Sequence, residues 1–171
     1  GIDPVVAMDC QGVPDHLYLV QVHTGSQTFV FDCVKLGAAE VCQALRPLLE
    51  SQVIVKLMHD VHDAALAFSQ HGGIALLGGV FDTQLAMEVL TGEAHSAFTG
   101  MLEYCDESDD PLKLSTRLRM KSGELFGRRP LSSDILEYAG LNVFVLSKVK
   151  EKLFDKVGNK REALQMASCL R

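Results

Sequence analysis

The chain has 171 residues, of which 47% are hydrophobic and 22% are charged, and its formal net charge at pH 7 is −6. This composition is typical of a folded globular domain and excludes an intrinsically disordered chain. The excess of acidic residues argues against indiscriminate binding to nucleic acid, although it allows a local basic surface. No apolar run reaches the roughly 18 residues of a membrane span, so a membrane partner is not expected.

The cysteines and the first residues indicate the compartment. Five cysteines are scattered along the chain without a C-x-x-C pair: Cys10, Cys33, Cys42, Cys105 and Cys169. An odd number in apolar or helical contexts is typical of free thiols in a reducing environment. The first four residues lack the basic and apolar segments of a signal peptide. We therefore expect an intracellular protein, in the cytoplasm or the nucleus.

The first third of the chain predicts three strands and a helix. Residues 5–11, 16–23 and 27–32 are rich in β-branched and aromatic residues, and the last two are joined by a short turn around Gly25. After Gly37 the apolar residues recur at helical spacing up to about residue 50.

The rest of the chain alternates between strands and helices and then becomes helical. We predict a buried strand over 53–58, a helix over 61–70, a short strand over 80–82 and a helix over 83–91. Three more helices are predicted, with the following approximate bounds: 111–121, 132–139 and 141–156. This order indicates an α/β domain with helices packed on a mixed sheet.

The first polar motif lies at the end of the first strand. Asp9 and Gln11 point to the same face of that strand because strand side chains alternate with a period of two. This places the pair at the end of the sheet, beside a cleft. On its own, the pair is a weak signal and is better explained as a polar strand end.

The second motif lies where the middle strands pass into helices. Asp60, Asp63 and Asp82 stand at predicted helix starts, where a carboxylate is stabilised by free N–H groups and by the helix dipole. All three are therefore candidates for helix caps as well as for functional groups. The pair His59 and His62 does not predict a zinc site, because no third ligand follows nearby.

The third motif lies on a predicted late helix. Tyr138 and Asn142 are four residues apart and share one face of that helix. Ser132 or Ser133 is the predicted N-cap. Ordinary helix packing explains this motif alone as well as a functional role does.

Taken together and in this order, the motifs resemble the DEDD superfamily of 3′–5′ exonucleases, in its RNase D-like branch. The matching segments are Asp9-Cys10-Gln11, Lys56 to His59 and Asp63, Phe81-Asp82-Thr83-Gln84, Arg129-Pro130-Leu131, and Tyr138 to Asn142. The subgroup that contains Egalitarian and the exonuclease-domain proteins of small-RNA pathways is the most similar. The resemblance implies a ribonuclease H-like fold, in which three antiparallel strands are followed by parallel strands and helices flank the sheet. We expect the exonuclease-like domain to cover residues 1–154, followed by a helical tail over 155–171.

The resemblance also implies a site in which four carboxylates hold two Mg²⁺ or Mn²⁺ ions. The matching positions in this chain are Asp9, Gln11, Asp63 and Asn142, and the resemblance casts Tyr138 as the orienter of the attacking water. The spacing before Asp63 is one residue shorter than usual, and an ungapped match would place Ala64 there instead. Because two charges are lost, at most one weakly bound ion is expected, between Asp9 and Asp63. We expect catalysis to be absent or very slow.

A basic segment predicts RNA binding. Six cations and a single acid lie within a window of seventeen residues, and the cations are Lys113, Arg117, Arg119, Lys121, Arg128 and Arg129. Such clusters bind phosphate backbones through counter-ion release. A solvated helix face would look similar in sequence.

Three hypotheses follow. The chain is an RNA-binding or scaffold module without turnover, whose partner is single-stranded RNA with a 3′ end, within an RNA-processing complex. Alternatively, it is an active metal-dependent 3′–5′ exonuclease in which Asp60, Asp82 or Glu137 substitutes for a lost ligand. A third possibility is a protein-interaction platform, such as a homodimer through its apolar helices.

Overall fold

The computed structural model describes residues 4–75, 77–93, 98–105 and 125–168. Its sheet has five strands in the order β3-β2-β1-β4-β5. The strands are β1 Val5–Gln11, β2 Leu19–His23, β3 Thr28–Asp32, β4 Val55–Met58 and β5 Val80–Asp82. The first three are antiparallel neighbours, and β4 and β5 continue the sheet in parallel with β1. The predicted mixed sheet is therefore confirmed.

Helices cover both faces of the sheet. In chain order they are α1 Cys33–Leu36, α2 Ala38–Leu49, α3 Val61–Gly72, α4 Thr83–Thr91, α5 Phe98–Tyr104, α6 Ser133–Val157 and α7 Arg161–Ser168. Short 3-10 turns precede and follow α6, at Leu125–Gly127 and Gly158–Lys160. None of the helices in the described part of the chain combines the length and the apolar character needed to cross a membrane.

The alternation along β1 divides the core into two layers. Met8 and Cys10 pack with the apolar residues of α2 and α3 on one face. Ala7 packs on the other face with residues of α4, α5, α6 and α7. Asp9 and Gln11 share the parity of Ala7, so they face α6.

Two strands are shorter than predicted. β2 begins at Leu19 rather than at residue 16, because the preceding residues turn: the N–H of His16 donates to the carbonyl of Gly12. β4 begins at Val55 rather than at residue 53. The hydroxyl of Ser51 accepts hydrogen bonds from the N–H groups of Val53 and Ile54, which holds that segment in a turn.

The prediction of two late helices, 132–139 and 141–156, is wrong. α6 is continuous over Ser133–Val157 and passes through Gly140. A Cβ at Gly140 would lie 3.6 Å from the Thr28 side chain, so the helix packs closely on β3 at this point. Packing against the sheet offsets the roughly 1 kcal/mol that glycine costs inside a helix. The predicted helix over 111–121 lies outside the described residues, and α5 was not predicted.

The last helix packs against the far edge of the sheet. α7 lies on β5, where the hydroxyl of Ser168 accepts a hydrogen bond of 2.9 Å from the N–H of Asp82 and donates to the carbonyl of Leu164. Ser168 is buried. α6 continues past residue 154 to Val157, so the chain enters the predicted tail as a regular helix.

Candidate functional site

A cleft opens at the carboxyl end of the parallel strands, where β1 and β4 end side by side. Its volume is about 230 Å³. Its lining consists of Asp9, Cys10, Val13, Met58, His59, Asp60, Asp63, Ala64, Gln84 and Phe98. The carboxyl ends of parallel strands are where α/β proteins place their ligands, so the topology itself brings the first and second sequence motifs together.

The third motif joins them through hydrogen bonds to Asp9. One oxygen of this carboxylate, Oδ2, accepts a hydrogen bond of 2.7 Å from Nε2 of Gln11 and another of 3.2 Å from Nδ2 of Asn142. The other oxygen, Oδ1, accepts from the N–H of Cys10 at 2.9 Å. Asp9, Gln11 and Asn142 are thus brought together as predicted from their order in the sequence.

This arrangement does not fit a centre of two divalent ions. A carboxylate oxygen is only an acceptor, so both amides must turn their NH₂ groups toward Asp9. Their hydrogen atoms then stand where the resemblance would place anionic ligand oxygens. Mg²⁺ requires hard oxygen ligands in near-octahedral geometry. In the described part of the chain, no group of three or more His, Cys, Asp or Glu residues is arranged to hold a metal ion.

Two neighbouring residues, Asp63 and Ala64, are candidates for the third ligand position that the resemblance implies. Asp63 and Ala64 both line the cleft at the start of α3. The Asp63 side chain is 47% exposed and lies 3.1 Å from Nδ1 of His62. Ala64 is buried and offers no ligand atom. Cys10 does not supplement the site, because burial raises the pKa of its thiol well above the usual range and keeps it protonated.

Asp82 is a helix cap. Its buried carboxylate accepts hydrogen bonds from the N–H groups of Asp60 at 3.0 Å, Val61 at 3.2 Å and Gln84 at 2.8 Å. It therefore caps α4 and also satisfies the first N–H groups of α3. Asp60 itself adopts a left-handed conformation, with φ 56°, and makes no side-chain cap. A carboxylate buried among backbone donors is poorly placed to replace a lost metal ligand.

The His59 ring is held in the cleft by Thr83. The hydroxyl of Thr83 donates to the carbonyl of Met58 at 3.1 Å and lies 2.9 Å from Nδ1 of His59. The hydroxyl oxygen is thus placed to accept a hydrogen bond from Nδ1. The ring of Phe98 packs edge-on against His59, with the two centroids 5.3 Å apart.

Tyr138 is buried one turn before Asn142. It packs against Leu19, Ala139 and Phe126, and its ring centroid lies 5.8 Å from that of Phe126. Tyr138 and Asn142 thus share a face of α6, as their spacing predicts.

Gln21 is a polar residue of this region that sequence reasoning missed. It lies directly opposite Asp9 in the β1–β2 pair and is fully buried. Among the described residues, its side-chain oxygen and nitrogen have no hydrogen-bond partner. Residues directly opposite in an antiparallel pair project from the same face. The amide of Gln21 therefore lies on the same face of the sheet as the carboxylate of Asp9 and the amide of Gln11. The available signal was its spacing, because Gln21 falls on the same face of the predicted strand as Leu17 and Leu19.

The basic segment is only partly described. Lys113, Arg117, Arg119 and Lys121 lie outside the described residues. Arg128 is exposed. Arg129 donates to both carboxylate oxygens of Asp32, with Nε 2.7 Å from Oδ2, and to the carbonyl of Phe126. These bonds give Arg129 a structural role, so we leave it out of the RNA-binding surface proposed below.

The family is decided by comparison with known proteins. The sequence profile described as "3′-5′ exonuclease" matches residues 5–158. The chain belongs to the 3′–5′ exonuclease family. The DEDD superfamily, suggested by the motif order, is thereby confirmed.

Two curated relatives are similar to most of the chain. The piRNA biogenesis protein EXD1 of Mus musculus is 29% identical over 153 residues, and that of Homo sapiens is 27% identical over 151 residues. Each match covers 81% of this chain but only 26% of the mouse protein and 29% of the human protein. The chain therefore spans about a quarter of the length of these relatives.

Solved structures show the same fold. Escherichia coli RNase D is 20% identical with a TM-score of 0.74, and the match covers 96% of this chain and 44% of that one. Brucella melitensis NrnC with bound Mg²⁺ is 21% identical with a TM-score of 0.73, covering 97% and 78%. Trypanosoma brucei RNase D in complex with RNA U12 is 20% identical with a TM-score of 0.69, covering 86% and 55%. The ribonuclease H-like fold expected from the motifs is confirmed.

Proposed function

We propose that this exonuclease-family domain binds single-stranded RNA and does not degrade it at a measurable rate. The observation that carries the proposal is the pair of amide hydrogen bonds to Oδ2 of Asp9 from Gln11 and Asn142. In a two-ion mechanism one ion activates the attacking water and the other stabilises the leaving oxygen. Gln11 and Asn142 are neutral amides, so these two positions supply no negative charge to hold the two ions.

RNA as the partner is supported by the relatives and by the basic segment. The matched relatives are named piRNA biogenesis proteins, and a solved neighbour, the RNase D of Trypanosoma brucei, is bound to RNA. Here the cations of the basic segment that we propose to contact phosphates are Lys113, Arg117, Arg119, Lys121 and Arg128. Contacts of this kind weaken steeply as salt concentration rises. The domain would then hold RNA for other members of an RNA-processing complex.

Turnover is tested with an end-labelled single-stranded RNA in Mg²⁺ and in Mn²⁺. We expect intact RNA after an incubation in which an RNase D enzyme, as the positive control, trims the same substrate. Shortening from the 3′ end that EDTA abolishes would overturn the proposal. That result would favour the alternative, an active metal-dependent exonuclease.

Binding is tested by gel shift at low and high salt. We expect a shift at low salt that is lost on charge reversal of Arg117, Arg119 and Arg128 together. Lys35→Glu, which reverses an exposed charge on α1, is the matched control and should leave the shift unchanged. The absence of a shift at low salt would overturn RNA binding and favour a protein-interaction platform.

A further inference from the structure

We infer that the domain binds RNA through internal single-stranded segments, and that the 3′ end does not enter the cleft. This inference rests on the proposed RNA-binding function and adds the part of the RNA that is recognised. Its basis is the set of charges and hydrogen-bond donors at the cleft.

The charges of the lining are unfavourable for a phosphodiester. Three carboxylates line the cleft, those of Asp9, Asp60 and Asp63, whereas no Lys or Arg is among its described lining residues. In a two-ion exonuclease the cations would offset this charge, but the donor set here does not fit such a centre. A phosphate at this position would therefore meet carboxylates of its own sign.

Four hydrogen-bond donors at or beside the cleft already donate to protein carboxylates. The side-chain amides of Gln11 and Asn142 donate to Asp9. The N–H groups of Asp60 and Val61 at the start of α3, where a helix would ordinarily bind an anion, donate to Asp82. An entering phosphate would have to displace a protein carboxylate from each of them.

The described cation of the proposed RNA-binding segment lies outside the cleft. Arg128 is exposed at the turn before α6 and is not part of the cleft lining. Nonspecific contacts of such a cation with the phosphate backbone depend on charge along the strand. They need no free end.

The test compares three forms of one RNA sequence: linear with a 3′-hydroxyl, linear with a 3′-phosphate, and covalently closed. We expect their dissociation constants to agree within about twofold. A closed or 3′-phosphorylated RNA that binds tenfold more weakly than the 3′-hydroxyl form would overturn the inference and leave RNA binding standing. If none of the three binds, the proposed function itself fails, and the inference falls with it.

A second measurement uses the cleft carboxylates. The double variant Asp60→Asn, Asp63→Asn removes two negative charges, and asparagine tolerates the left-handed conformation of residue 60. Asp155→Asn, at an exposed position on α6, is the control with the same chemical change. Because the cleft charges are inferred to exclude the 3′ end, we expect the ratio of affinities for linear and closed RNA to be near one in the wild type and in the control and to rise in the cleft variant. A ratio of fivefold or more already in the wild type would show that the end does enter, and a ratio that stays near one in the cleft variant would contradict the role given to these carboxylates.

Discussion

Asn142 on α6 donates a hydrogen bond to the carboxylate of Asp9 on β1, across 3.2 Å and 133 positions of sequence. Gln11 donates to the same oxygen. In an exonuclease with four carboxylates, a bound cation would join this strand to this helix. Here two neutral amides form the connection directly, so the contact between β1 and α6 does not depend on a metal ion.

Asn142→Asp should destabilise the domain. The substitution replaces a donor with a second carboxylate beside Oδ2 of Asp9, so a hydrogen bond becomes a repulsion. We expect a loss of about 1–3 kcal/mol in the free energy of unfolding at pH 7. Asn159→Asp makes the same change at an exposed position in the turn after α6 and should cost less than about 0.5 kcal/mol. Urea denaturation measures both, and equal losses would contradict the role given to Asn142.

The double variant Gln11→Glu, Asn142→Asp should acquire a response to divalent ions that the wild-type protein lacks. With carboxylates at positions 9, 11 and 142, an added cation offsets their repulsion. We expect Mn²⁺ to raise the Tm of the double variant by several degrees relative to EDTA and to leave that of the wild type unchanged. A wild-type Tm that rises equally in Mn²⁺ would show that the present side chains already bind the ion.

The bidentate pair of Arg129 and Asp32 should make stability depend on pH. The hydrogen bonds from Arg129 hold the pKa of Asp32 below its usual value. Their contribution is therefore complete above the unfolded pKa, about 4, and is lost as pH falls through the lower folded pKa. Arg129→Met should cost about 1.5–3 kcal/mol at pH 7, and the part due to Asp32 should decrease progressively as pH falls below about 4.

A matched control for that pair is Lys150→Met. Lys150 lies 3.9 Å from the exposed Glu151, an arrangement worth about 0–1 kcal/mol. Denaturation at pH 7, 4 and 3 compares the two variants with the wild type. A difference between Arg129→Met and the wild type that stays constant over this range would contradict the assignment.

Ser168→Ala should weaken the junction between α7 and the sheet. Without the hydroxyl, the N–H of Asp82 is left buried and unsatisfied, which costs about 1–3 kcal/mol. Ala167→Ser, at the exposed neighbouring position, should be close to neutral. Hydrogen exchange should also speed up at Asp60, Val61 and Gln84, because Asp82 caps all three. Unchanged exchange rates at these three N–H groups in Ser168→Ala would show that α7 does not help to hold Asp82 in its capping position.

Much of the fold followed from local patterns. The strand over 80–82 and the helix over 83–91 match β5 and α4 residue by residue. Period-two and helical spacing are properties of neighbouring residues, so they are visible in sequence. The helix through Gly140 was missed because its continuity comes from packing on β3, and packing of that kind leaves no local signal.

The site likewise has parts that could be predicted from the sequence and parts that could not. The juxtaposition of Asp9, Gln11 and Asn142 could be predicted from motif order, because the family fixes which strand end meets which helix. The pairing of Arg129 with Asp32 spans 97 positions and joins the Arg129-Pro130-Leu131 motif to the end of β3, a contact that no local pattern indicates. The three backbone hydrogen bonds that Asp82 accepts could not be predicted either, since a sequence pattern predicts a cap for one helix and not for two.

The position of α7 bears on how the protein can be dissected. The last strand of the sheet, β5, lies at its edge. The N–H of Asp82 on this strand donates to the hydroxyl of Ser168 on α7 rather than to another strand. A fragment that stopped at residue 158, where the family match ends, would lose the hydroxyl that accepts from the N–H of Asp82 on this edge strand. Exposed backbone groups on an edge strand template intermolecular pairing. We therefore expect a fragment that ends at residue 158 to aggregate more readily than one that extends through Ser168.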